Sequence, residues 1–291
     1  MNTGARLSAA VIAVSMAAAG AQIPRTPDGR PDLQGIWTNA TLTPIERPSD
    51  FAGKPTATDA ESRAFEKQDA DFFNLYIEAG FEMARIDGVK RTSLVIDPAN
   101  GKIPQLTTSP PQISNSFDSA EDRPLGERCL LGFGSPAGPP MMPVLENGNY
   151  QIVQTPDYMM ILVEMVHDVR IIRMNGKHEP PNVRLWMGDS IGHWEGATLV
   201  VDTTNFTDKT RFRGASPGLH VTERFSRTDA ETFLYKVTID DPATFSRQWT
   251  MEYPFRATAG PVFEYACHEG NYVMTDILGG ARKEDAASKK K

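Results

Sequence analysis

The segment EYACHEGNY (264–272) places Glu264, Cys267, His268, Glu269 and Asn271 within nine positions. A metal site, a nucleophile with its base, or a disulfide end beside a free histidine would each use such residues. In an extended chain, Phe263, Tyr265 and Cys267 share one face, while Glu264, Ala266 and His268 share the other. Cys267 is therefore not aligned with His268 as a nucleophile is with its base. His268, Glu269 and Asn271 follow where the strand should break into a loop, a common place for a site to be displayed.

The run YMMILVEMVHDVRIIRM (158–174) carries a second set. In an unbroken strand Met159, Ile161, Val163, Met165, His167, Val169 and Ile171 form one face, so His167 is the only polar group on an apolar stripe. A histidine in that position suits general acid–base work near neutral pH. Glu164, Asp168 and Arg170 lie on the opposite face. Seventeen residues is long for a strand, and a bulge between Glu164 and Asp168 would bring Glu164 and His167 to one side. In LHVTERFSR (219–227), Glu223 falls on the apolar stripe with Leu219, Val221 and Phe225, whereas His220 and Arg224 face the other way. A carboxylate on that stripe needs a cation such as Arg170, a histidine, or a polar cavity.

These positions predict one cavity approached by His167, Arg170, His220, Glu223 and His268, with Glu164 joining at a bulge. His167 would act as base, and Arg170 or Arg224 would stabilise developing negative charge. Trp186 and Trp194 flank MGDSIGH and could rim a pocket, with Asn271 as a further ligand contact; Trp249 alternates as core. The five histidines show no H-x-x-x-H spacing and the chain has no C-x-x-C, so no local metal signature exists, although separate strands could still assemble one. The G-x-S-x-G elbow is also absent. No cofactor is expected.

The elements that must position these residues are mostly strands. YQIVQ, a Thr-Pro-Asp turn and the 158–174 run read as a hairpin closed at its far end by Asn175-Gly176. HWEGATLVVDTTNF carries a Glu-Gly turn, and LHVTERFSR, TDAE and TFLYKVTID form another hairpin. RQWTMEYPF alternates cleanly, and PVFEYAC closes the series. The fold class is mainly β: an antiparallel up-and-down barrel or curled meander, with a β-sandwich as the alternative.

Before this body, residues 22–145 form a strap, one helix and Pro/Gly-rich loops. Thr58 and Glu61 make a capping box, with Phe65, Phe72, Leu75, Tyr76 and Ala79 on one side of the helix that follows. TSLVIDPANGKIP (92–104) reads as a strand entering a turn, and 105–145 as a long functional or wrapping loop. The β body spans 146–283, and 284–291 is a solvated tail.

The first 21 residues have one basic residue, Arg6, an apolar run and an Ala-Gly-Ala exit, as a cleaved secretory leader does. Export to the periplasm or beyond follows, and the two cysteines, Cys129 and Cys267, then default to a disulfide. The chain has 30 basic and 37 acidic residues, a net of −7; without Arg6 it is 29 against 37, or −8. That balance excludes nucleic acid and anionic membrane as partners. A small molecule is the expected partner, and the oligomeric state is left open.

The motifs PDGRPDLQGIWTN, TSLVIDPANGKIP, YQIVQTPDYMMILVEMVHDVRII, WMGDSIGHWEGATLVVDTTNFTDKT and EYACHEGNYVMTDILGGAR span nearly all of the mature chain. Together they resemble a widespread group of uncharacterised exported proteins from environmental bacteria, with lipocalin-like strands. The resemblance implies no catalytic residue. Three functions remain in view: a cofactor-independent lyase, hydratase or isomerase acting on a small, fairly apolar compound such as a plant-derived aromatic; a binding protein for such a ligand; and a carbohydrate-active enzyme with paired carboxylates.

Overall fold

The computed structural model describes residues 23–67, 76–78, 80–107, 117, 119–132, 135–210 and 212–289. The expected leader lies outside them, as do Phe72, Leu75 and Ala79 of the expected helix face. Strand β1 (Gly35–Thr38) comes from the strap. Strands β2 (Thr56–Ala57), β3 (Arg85–Ile86) and β4 (Val89–Arg91) form a small separate sheet, and helix α1 (Asp59–Glu66) follows β2. Its capping box at Thr58 and Glu61 is present as the spacing predicts. Strand β5 (Val95–Asp97) joins the edge of β13.

The body contains β6 (Asn149–Gln154), β7 (Tyr158–Val163), β8 (Val169–Met174), β9 (Asp189–Glu195), β10 (Thr198–Thr204), β11 (His220–Arg227), β12 (Thr232–Asp240) and β13 (Trp249–Ala257). These eight strands and β1 close a nine-stranded barrel, with Trp37 and Thr38 of β1 paired to Ala257 and Arg256 of β13. A barrel rather than a sandwich is therefore the architecture. The strap supplies one stave, so the barrel does not begin at residue 146.

Two features depart from a simple meander. The pair β8–β9 is parallel, because residues 175–188 cross from the end of β8 to the start of β9. Asn175-Gly176 thus opens a crossover rather than closing a hairpin. The expected single long strand is also two strands, β7 and β8, joined by a tight 3-10 turn at Met165–His167. A full chain reversal replaces the expected bulge. Ile161 then stands opposite Arg170, which sends Arg170 inward on the same face as Met159, Ile161 and Val163.

The barrel lumen is filled. Trp37, Tyr150, Phe225, Phe233, Tyr235, Tyr253 and Phe255 are buried inside it, and Phe233 stacks on Phe255 at 4.7 Å. Residues 136–142 of the Pro/Gly-rich stretch enter as a plug. Tyr253 donates to the Met141 carbonyl (2.8 Å), the Met141 N–H donates to Tyr235 Oη (3.1 Å), and Tyr150 donates to the Pro136 carbonyl (2.9 Å). Irregular backbone can be buried only when its polar groups are met in this way.

The C-terminal segment differs from its expected form. PVFEYAC (261–267) is irregular rather than a strand, and helix α2 (Val273–Ser288) follows with no buried residue. The predicted tail is thus helical through Ser288. Among the described residues no helix is long and apolar enough to cross a membrane.

Candidate functional site

Three segments meet where β7 turns into β8. Cys129 and Cys267 form a disulfide with a Cα separation of 5.7 Å, which ties the loop around residues 126–132 to the C-terminal segment. Asn271 reinforces the tie by donating from Nδ2 to the Glu127 carbonyl (3.3 Å) and Cys129 Sγ (3.2 Å). A disulfide here fits a protein outside the reducing cytosol.

Under this tie the β7–β8 turn is strained. Val166 (φ 63°) and His167 (φ 48°) both adopt left-handed backbone, as does Cys129 (φ 53°). For a β-branched valine that conformation is a true outlier, stable only where the surroundings over-determine it, and such strain gathers at functional sites. Val166 is buried, and its reversal turns His167 out to solvent. His167 Nδ1 lies 3.2 Å from the Tyr265 carbonyl oxygen. A carbonyl only accepts, so in the neutral ring the proton sits on Nδ1 and Nε2 presents a lone pair.

Asp168 follows immediately. Its carboxyl is half-buried, and burial pushes its pKa up to about 6 despite the opposing influence of His167 and a hydrogen bond from the Gly132 amide. Oδ2 is buried with no hydrogen-bond partner. A histidine with a free lone pair thus adjoins a carboxyl group that remains partly protonated near neutral pH. Such an arrangement separates a base from an acid. Phe263 and Tyr272 of the C-terminal segment are exposed, as is Val169 beside Asp168.

The other predicted residues do not join this rim in a single cavity. Glu164 is buried near the turn, but its two carboxylate oxygens accept from the amides of Asn147 and Asn149, which occupy it structurally. Arg170 and Glu223 pair inside the barrel, as Glu223 on the apolar stripe required, and are sealed from any substrate. Ser190 and Thr203 complete the guanidinium's partners, and Tyr235 donates to Glu223 Oε1 at 2.7 Å.

His220 lies on the outer wall, with Nε2 2.5 Å from Asp202 Oδ2, and Arg224 on the same face pairs with Glu195. His268 is exposed. Trp194 is half-buried beneath Arg30 at the opposite end of the barrel, and Trp186 is half-buried in the 175–188 crossover. The expected cluster is overturned because alternating strand faces and the β7–β8 reversal send its members inward, outward and to the rim.

Sequence reasoning missed Asp168 as a site residue. Strand parity had set it opposite His167, and only the turn makes the two a unit. No group of three or more His, Cys, Asp or Glu residues suited to a metal ion occurs among the described residues.

The chain matches no family model, no curated protein and no solved structure.

Proposed function

We propose that this protein is an exported, cofactor-independent enzyme that performs acid–base chemistry at the rim around His167 and Asp168. The observation that carries this reading is the adjacency, on a strained turn, of an imidazole with its lone pair turned outward and a carboxyl held near pKa 6. Nε2 of His167 would abstract a proton and Asp168 would protonate a leaving group or intermediate, as in a lyase, hydratase or isomerase. Exposed Phe263, Tyr272 and Val169 favour a small, fairly apolar substrate.

A carrier that holds its ligand in the lumen is disfavoured, since aromatic side chains and the 136–142 plug occupy that space. Carbohydrate cleavage by paired carboxylates is disfavoured as well, because Glu164 is already engaged by two amides. The sequence motifs and the disulfide support export. The test is an untargeted metabolite screen with purified mature protein, scored for turnover and thermal shift. His167→Gln should abolish turnover with little change in melting temperature. Full activity in that variant would remove His167 from the mechanism.

A further inference from the structure

A cleft lies outside the barrel, between its wall and the segments 40–41 and 80–84, the latter leading into β3 of the small sheet. Thr38, Pro254 and Arg256 form the barrel side, and Thr41, Phe81 and Glu82 face them across a cleft of 170 Å³. The strand pattern explains the floor. Tyr253 and Phe255 of β13 point into the core, so Pro254 and Arg256 point outward, and Thr38 is the cross-strand partner of Arg256.

Charge within the cleft is unbalanced. Glu82 is held by Lys90 Nζ at 2.8 Å, and that lysine, almost wholly buried, also lies 3.7 Å from Glu66. Arg256 is half-buried, yet among the described residues no carboxylate pairs with its guanidinium and no acceptor receives its N–H groups. Arg170, Arg173, Arg224 and Arg247, by contrast, each hold a carboxylate. Thr38 Oγ1 accepts from the Ala40 amide (3.3 Å), which leaves its own O–H to donate.

We propose that this cleft binds a small organic monocarboxylate. Its carboxylate would take the guanidinium fork of Arg256 in bidentate fashion, assisted by Thr38, and its apolar body would lie against Phe81 and Pro254. A guanidinium fork selects a planar anion, and the neighbouring ring and proline select an apolar body. The volume is well below that of drug-sized pockets, which suits a small acid. This site is separate from the His167–Asp168 rim, and its existence does not depend on turnover there.

Benzoate serves as probe and benzamide as its neutral control, followed by amide chemical shifts in a titration of the folded protein. Benzoate should move the amides of 38–41 and 80–84 saturably, and benzamide should not. Arg256→Gln should weaken benzoate at least tenfold at unchanged melting temperature. Arg256→Lys, which keeps the charge without the fork, should fall between the two and decides the matter if the glutamine variant does not fold. Equal binding of benzamide, undiminished binding in the variants, no binding, or shifts confined to 164–168 would each overturn the proposal.

Discussion

Arg170 and Glu223, 53 residues apart in the chain, face each other as a bidentate ion pair sealed inside the barrel. Nη1 donates to Oε1 at 2.9 Å and Nη2 to Oε2, while Ser190, Thr203 and Tyr235 satisfy remaining donors and acceptors. Through Tyr235, which also receives the Met141 amide, the pair reaches the plug. Burial, followed by the Glu223 charge, holds the Tyr235 hydroxyl well above its usual pKa, so it remains a donor.

Removing one partner should therefore cost more than removing both. Arg170→Met leaves a carboxylate without its counter-charge in a medium that solvates it poorly, and a loss of about 3–5 kcal/mol is expected. Arg170→Met combined with Glu223→Leu removes both charges and should recover much of that loss. Urea unfolding midpoints at constant slope measure both effects. A double variant no more stable than the single one would contradict this account.

Asp168→Asn should stabilise the protein while abolishing the proposed turnover. The folded-state pKa of about 6 lies above the ordinary 3.8, so the folded protein holds this proton more tightly than the unfolded chain does. Stability is thus lost as pH rises from about 4 to 6, and the penalty is complete above that window. At a half-buried site, solvent screening reduces it to the order of 1 kcal/mol. The variant should melt above wild type at pH 8 and equal it near pH 4. With a substrate in hand, the wild-type rate should fall above pH 6 as Asp168 deprotonates. A variant that melts no higher than wild type at pH 8 would count against the raised pKa.

The barrel was legible because its strands announce themselves: in β12, Phe233, Tyr235, Val237 and Ile239 alternate with polar or partly exposed residues, and each is buried. The Arg170–Glu223 pair was legible in part for an energetic reason, since a carboxylate on a buried stripe needs a cation, with Arg170 among the candidates, a histidine, or a polar cavity. The rim was not. A reversal that relies on left-handed backbone at a β-branched Val166, followed by His167, runs against the local preference of the valine, so no propensity points to it. The parallel β8–β9 pair and the entry of 136–142 into the lumen depend on contacts far along the chain, such as Met141 with Tyr235 and Tyr253. Periodicity carries no information about those.

Reducing the Cys129–Cys267 bond should loosen the rim before the barrel. The bridge joins positions 138 residues apart, and closing so long a loop stabilises the fold by about 5 kcal/mol as an upper figure in the chain-entropy model. Its local partners are few, chiefly Asn271 to Glu127 and Cys129, and His167 to Tyr265. Hydrogen exchange in Cys129→Ser/Cys267→Ser should therefore rise first at 126–132, 164–168 and 263–272. Uniform loss of protection across β9 to β13 would instead make the bridge part of the barrel's own stability.

The outer wall should show two opposed pH dependences, one from His220 and one from Asp202. His220 Nε2 lies 2.5 Å from Asp202 Oδ2, and His178 Nε2 lies 2.8 Å from the other oxygen of that carboxylate. His178 Nδ1 in turn meets Asp189, which Arg173 also holds. The hydrogen bond to Asp202 raises the pKa of His220 above its ordinary 6.5, against the smaller effect of burial and with help from Asp240. Burial alone would raise Asp202, but the hydrogen bonds from His220 and His178 outweigh it and bring its pKa below 3.8.

The two shifts bound a window. Stability from protonated His220 is full below pH 6.5 and is lost as pH rises through its higher folded pKa. Stability from ionised Asp202 is present above pH 3.8 and is lost as pH falls through its lower folded pKa. Wild type should therefore exceed His220→Gln in melting temperature most clearly between about pH 4 and 6.5, with the gap closing in alkali. Both side chains are partly exposed, so the gap should be small and should shrink further in high salt. A gap that persists unchanged to pH 9 would mean that His220 contributes through packing rather than through its charge.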